Sequence, residues 1–191
     1  EWSEIGGGMK TYDFPESVYV IEFDSENNLY AGGYFKSAGG IKANNIAKWD
    51  GAEWSTFGSG MSNENYGAPV YAIYVEGPDD FYAAGQFLKA GDLKVGNITK
   101  WKNGKWNALG KGIGGKRDSE VYALATDSKE NLYAGGYFTT TGDSVSNDNI
   151  AIWNGKNWNA LKSGANGRVL ALAVDDSDIL YAGGSFETMD G

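Results

Sequence analysis

The sequence predicts an all-β chain made of one four-stranded unit used repeatedly. Two observations predict it. The seven tryptophans fall in two series, Trp49, Trp101 and Trp153, and Trp2, Trp54, Trp106 and Trp158, every step being 52 residues. Between them four stretches of the form YAGG begin at Tyr30, Tyr82 (here YAAG), Tyr133 and Tyr181, each followed by a phenylalanine, Phe35, Phe87, Phe138 and Phe186. The repeats run approximately 1–52, 53–104, 105–156 and 157–191, and form a single region 1–191.

Each repeat holds four short segments. Segment A is an apolar run (VYVIEF from Val18, VYAIYV from Val70, VYALAT from Val121, VLALAV from Val169). Segment B is the LYAGGYF stretch, C is of the form NIAKW, and D is of the form EWSTFG. All are rich in β-branched and aromatic residues, and none is long enough for a typical helix. Acidic clusters separate A from B, and DGAE, KNGK and NGKN separate C from D. Asn-Gly and Asp-Gly accept positive φ at low cost, so the C–D links are expected to be tight primed hairpin turns. The paired glycines of segment B suit a bent strand or a close approach by another backbone.

Composition narrows the function classes. The 191 residues are 41% hydrophobic and 14% aromatic, with 29 glycines, which fits a packed, turn-rich fold. A net charge of −9 without a basic stripe opposes nucleic acid and anionic membrane surfaces. The longest apolar runs are a few residues, so no membrane insertion is expected. No cysteine is present, which excludes disulfides and thiolate metal sites. No histidine is present either, which removes Ser-His-Asp and Cys-His catalysis and the commonest zinc ligand.

A four-stranded unit cannot bury both faces alone. Stacking such units face to face around an axis does so, and the expected architecture is a β-propeller of four-stranded antiparallel blades with tryptophans between neighbouring blades. Counting Trp2–Ile5 as a D strand gives fifteen strands, the last repeat lacking C. The expectation is therefore a piece of a larger propeller, or a gap filled by another molecule: another copy, or remaining blades of a parent chain.

The order LYAGG, AKWDG and EWSTFGSGM resembles the kelch repeat of galactose-oxidase-like propellers. More closely, the chain is similar to the YAGGxF…NNIAKWDGxxW repeats of secreted or surface bacterial proteins of undefined function. That resemblance implies an extracellular or cell-surface location. Galactose-oxidase copper chemistry needs His and a Cys-linked Tyr, both missing here, so the activity does not carry over.

Candidate sites follow from the loops. The D–A and B–C loops vary most and open on one face in propellers, where a rigid frame can present functional residues. The candidates there are Tyr12, Asp13, Phe14, Asn65, Tyr66, Lys116, Arg117 and Arg168. The A–B acids (Asp24 and Glu26; Asp79 and Asp80; Asp127 and Glu130; Asp175, Asp176 and Asp178) read as Asx turns in preference to calcium ligands. Asp143 and Asp148 are a weak cation pair in the longest B–C loop. Asn45, Asn97 and Asn149 read as caps of the B–C loop, the alternative being sugar contacts; Tyr30, Tyr82, Tyr133 and Tyr181 read as core aromatics. The residues around AKW read as an exposed strand face.

The expected function is a non-catalytic scaffold, without a cofactor, binding a protein partner or displaying a surface through the variable loop face. The alternatives are a lectin-like propeller with one glycan site per repeat, and a glycoside hydrolase with paired carboxylates at the channel mouth.

Overall fold

A computed structural model of the chain describes residues 3–10, 16–63, 67–114, 118–141, 145–146, 148–162 and 164–189. Every element among them is a β-strand. Counted so that each repeat closes with its D strand, a few residues later than the sequence bounds, the first repeat holds β1 (Met9–Lys10), β2 (Ser17–Phe23), β3 (Leu29–Tyr34), β4 (Ser37–Ala38), β5 (Ile41–Lys42), β6 (Ile46–Trp49) and β7 (Trp54–Ser55). The second holds β8 (Met61–Ser62), β9 (Val70–Gly77), β10 (Asp80–Gly85), β11 (Lys89–Ala90), β12 (Leu93–Lys94), β13 (Ile98–Lys102) and β14 (Lys105–Ala108). The third holds β15 (Ile113–Gly114), β16 (Glu120–Thr126), β17 (Leu132–Tyr137), β18 (Thr140–Thr141), β19 (Val145–Ser146), β20 (Ile150–Trp153) and β21 (Trp158–Ala160). The fourth holds β22 (Arg168–Val174) and β23 (Leu180–Ser185).

Segments A to D form three four-stranded antiparallel sheets in sequence order, β2-β3-β6-β7, β9-β10-β13-β14 and β16-β17-β20-β21, followed by the pair β22-β23. The expected D strand over Trp2–Ile5 is not found among its described residues, Ser3–Ile5, which are not strand. The Ile5 carbonyl instead accepts the Trp54 indole N–H at 3.2 Å.

The glycine pairs explain how the A and B strands fit. A β-bulge sits between Val18 and Val20 where β2 faces Gly33 and Gly32, and it recurs at Val121/Ala123 and Val169/Ala171. A Cβ on Gly33 would lie 2.0 Å from the Ser17 carbonyl oxygen, and Gly85, Gly136 and Gly184 meet a backbone oxygen equally closely. The second glycine of each pair is therefore fixed by backbone contact, whereas the first can be Ala84.

The C–D links divide. Only Asn103-Gly104 is a two-residue hairpin turn, both residues at positive φ (55° and 71°), with Lys102 opposite Lys105. The other two are four-residue Asx turns: Asp50 Oδ1 accepts the Ala52 and Glu53 N–H groups, and Asn154 Oδ1 those of Lys156 and Asn157.

Apolar cores lie between successive sheets. One contains Tyr30 and Ile46 of the first repeat with Val70, Ile73, Phe81 and Phe87 of the second, Trp101 and Trp106 packing against it; the next joins Ala84 and Ile98 to Val121, Leu132 and Phe138. Within a repeat the C and D tryptophans form tilted or edge-on pairs with ring centroids 4.9–5.5 Å apart. Each D tryptophan also reaches back one repeat: Trp106 donates to the Phe57 carbonyl at 3.1 Å and Trp158 to the Leu109 carbonyl at 2.9 Å.

Candidate functional site

Among the described residues of the D–A and B–C links, each of the first three repeats folds a B–C hairpin and one D–A strand into a small three-stranded sheet, β1-β4-β5, β8-β11-β12 and β15-β18-β19. In the first, the hairpin turns on Gly39 and Gly40, both at positive φ (56° and 84°), with Ala38 paired to Ile41. Two-residue strands carry no periodicity to read, but the Gly-Gly turn was a legible hairpin signal.

Tyr12, Asp13, Phe14, Asn65, Tyr66, Lys116 and Arg117 lie outside the described residues; in the sequence they stand two to four positions beyond the ends of β1, β8 and β15. Asn63 ties together the described chain at Gly67, Gln86 and Leu88. Its amide donates to the Gly67 carbonyl (2.8 Å) and the Gln86 carbonyl (2.9 Å), and its oxygen accepts the Leu88 N–H (2.7 Å). Beside it is an open cleft of about 280 Å³ lined by Asn63, Leu88, Lys89, Lys94 and Val95. Sequence reasoning missed Asn63, since one asparagine in a variable link carries no signal until its partners are known.

Arg168 is described and exposed at the head of β22, its guanidinium 4.7 Å from the centre of the Tyr137 ring. It adjoins a ladder of A-strand tyrosines. The rings of Tyr19 and Tyr71 are 5.2 Å apart and those of Tyr71 and Tyr122 5.4 Å. Tyr122 donates to Glu120, which also lies 3.5 Å from the Tyr71 hydroxyl. Burial, and then the Glu120 carboxylate, push both phenols well above their ordinary pKa, so they remain hydrogen-bond donors at neutral pH.

The repeated polar residues hold the frame. Asn45 takes the Phe35 N–H on its oxygen (3.1 Å) and donates to the Met61 carbonyl of the next repeat (3.3 Å). Asn97 bridges Phe87 to Ile113, and Asn149 bridges Phe138 to Ala165, in the same way. Asp24 accepts the backbone N–H groups of Glu26 and Asn28 (2.9 Å each), the Asn28 amide (2.8 Å) and the Tyr30 hydroxyl (3.0 Å). Asp127 repeats all four contacts, with Lys129, Asn131 and Tyr133. Burial raises the pKa of both carboxyls, but these hydrogen bonds outweigh it and hold them below the ordinary value. The lone pairs a calcium ion would need are thus turned inward on the turn itself. Asp143 is outside the described residues, and Asp148 is exposed, its carbonyl accepting the Ala165 N–H at 2.8 Å.

The second repeat breaks the Asx pattern at the opposite end. Lys48 pairs with Asp79 (3.0 Å), Lys102 with Asp80 (2.6 Å), and Lys100 with Glu76, Asp80 (3.2 Å) and Tyr82 (3.2 Å). The AKW lysines are therefore not an exposed face: the side chains of Lys48 and Lys100 keep only 14% and 17% of their surface. The Lys100 group lines a cleft of about 510 Å³ shared with Tyr74, Thr126 and Asp127 of neighbouring strands. Burial lowers the Lys100 pKa, but Glu76, Tyr82 and Asp80 more than reverse this, so the amine is a fixed cation and no base.

No family model matches the chain, and no curated protein matches it. Solved structures do. The chain resembles the extracellular domain of BT4673 from B. thetaiotaomicron, a hybrid two-component system in one description, with TM-score 0.54 and 10% identity over 92% of this chain. A second structure of that domain, described as a one-component system, gives TM-score 0.54 and 11% identity over 89%. In both the match spans 20% of the other chain, about a fifth of its length. At such identity the likeness concerns fold alone: an all-β array of antiparallel sheets.

Proposed function

We propose that the chain is a non-catalytic β-propeller scaffold, its four-stranded sheets serving as blades, that binds a protein partner outside the cell through the D–A and B–C face. One observation carries the reading. Each repeating polar side chain among the described residues that might have formed a per-repeat ligand site (Asn45, Asn97, Asn149, Asp24, Asp127) is committed to the frame. What differs between repeats lies in the sequence of the D–A and B–C links. The cleft beside Asn63 carries Lys89 where the first and third repeats have Ser37 and Thr140. A lectin with a site in every repeat would need the opposite distribution. The extracellular setting draws on the structural neighbours, both extracellular domains.

The test is photo-crosslinking. A photoreactive side chain at position 12, 65 or 116, presented to extracellular and surface material of the source cell, should capture polypeptide; the same group at position 102 should not. Capture of glycan, or a glycan-array signal that survives changes at all three tips, would replace this reading with the lectin.

A further inference from the structure

The first two B–C hairpins concentrate positive charge in an acidic chain. The net charge is −9, yet residues 36–44 and 88–96 hold Lys36, Lys42, Lys89 and Lys94 against one acid, Asp92. In the second hairpin Lys89 stands directly opposite Lys94. Like charges facing each other across a strand pair repel and weaken it. Neither ammonium has an ion-pair partner among the described residues, not even Asp92 at the turn of the same hairpin. The third repeat has neutral residues at these positions, Thr140 opposite Ser146.

Both lysines line the cleft beside Asn63, and Leu88 and Val95 form its apolar part. Val95 is buried, but Leu88 is 54% exposed. The Leu88 N–H is held by Asn63 Oδ1 at 2.7 Å, so its backbone is fixed while its side chain stays in water. An isobutyl group this exposed gains free energy when it is covered. The cleft measures about 280 Å³, at the small end for a ligand site, which suits one or two side chains of a longer chain better than a compact small molecule. It lies wholly within the second repeat, which has a neighbour on each side.

We propose that this cleft docks an acidic segment of the protein partner, with a carboxylate set between the Lys89 and Lys94 ammoniums and an adjacent apolar side chain laid on Leu88 and Val95. The inference rests on the protein-binding reading above and names the chemistry of the partner. A carboxylate in that place relieves the repulsion between the two lysines and makes charge-assisted hydrogen bonds to both. The net charge of −9 repels a polyanion such as nucleic acid at long range, whereas a segment with one or two acids beside an apolar residue responds mainly to the lysines next to it.

A random peptide library displayed on phage and selected on the immobilised 191-residue chain tests it. Selected peptides should carry Asp or Glu beside Leu, Ile, Val or Phe, and their affinity should fall with added salt. Both results are read on the wild type and do not depend on a variant folding. Lys89→Thr with Lys94→Ser gives the hairpin the residues that the third repeat has there. That double variant should keep its melting temperature and bind the selected peptides about tenfold more weakly. Leu88→Thr should weaken binding while leaving its salt dependence unchanged. The proposal is overturned if the selection yields no peptide, or only basic or uncharged ones, or acidic peptides that bind the double variant as tightly as the wild type. Heparin bound through the two lysines, with no acidic peptide selected, would assign the cleft to an anionic glycan and overturns it as well. The photo-crosslinking above separates this site from the broader reading. Polypeptide captured equally by the wild type and the double variant leaves partner binding standing and removes this site, whereas capture of glycan removes both.

Discussion

Asn45 fixes three things at once: it adopts φ 76°, receives the Phe35 N–H and binds the Met61 carbonyl of the next repeat. Alanine would lose both bonds inside a buried site and would be strained at that φ, whereas glycine would lose the bonds alone. Asn45→Ala should cost about 2–4 kcal/mol and Asn45→Gly measurably less, read from urea midpoints; equal costs would show that φ contributes nothing. Asp127 sets a pH dependence. Its carboxyl is held below the ordinary value in the fold, so its stabilisation is complete above the unfolded-state pKa of about 4 and fades as pH falls through the folded value. Asp127→Asn should melt below the wild type at neutral pH, and the gap should close on acidification below about pH 4. A gap that does not change with pH would mean that the turn does not depend on the charge.

At the scale of the strand the controlling feature is the bulge facing the glycine pair. It turns β2 so that the Ser17 carbonyl lies against Gly33, leaving no room for a methyl group. Gly33→Ala should therefore destabilise by at least roughly 2 kcal/mol. Gly77, at the end of β9, has open space around its virtual Cβ and no positive φ, so Gly77→Ala should be neutral or stabilise by up to about 1 kcal/mol. A pair of denaturation curves checks both. The long strands were legible because seven or eight residues of Val, Ile, Leu and Tyr leave a pattern. The two-residue strands of the small sheets were not, because pairing alone defines them. The C–D turns were half legible: Asn103-Gly104 is the predicted primed turn, while Asp50 and Asn154 close wider turns with their own side chains.

For the whole molecule, the link between repeats is the D tryptophan. Trp158 is buried between the second and third repeats and donates to the Leu109 carbonyl. Trp158→Ala should cost about 3–5 kcal/mol. Trp158→Phe, which keeps an aromatic ring and loses the hydrogen bond, should cost about 1–2 kcal/mol. Because the bond spans 49 residues, both variants should unfold in a single transition if the repeats are coupled. Two separated transitions by calorimetry would show that the repeats melt independently.

By itself the sequence determined the period, the order of segments A to D, the Asx turns at Asp24 and Asp127 and the place of the tryptophans. These depend on neighbours close along the chain, or on a repeat that writes the same contact several times. Tertiary structure decided the rest. It paired the B–C hairpins with the D–A strands, spent the AKW lysines on Asp79, Glu76 and Asp80, and set Asn63 against Gln86 and Leu88. Each of these contacts joins residues far apart in the sequence, which no local pattern announces.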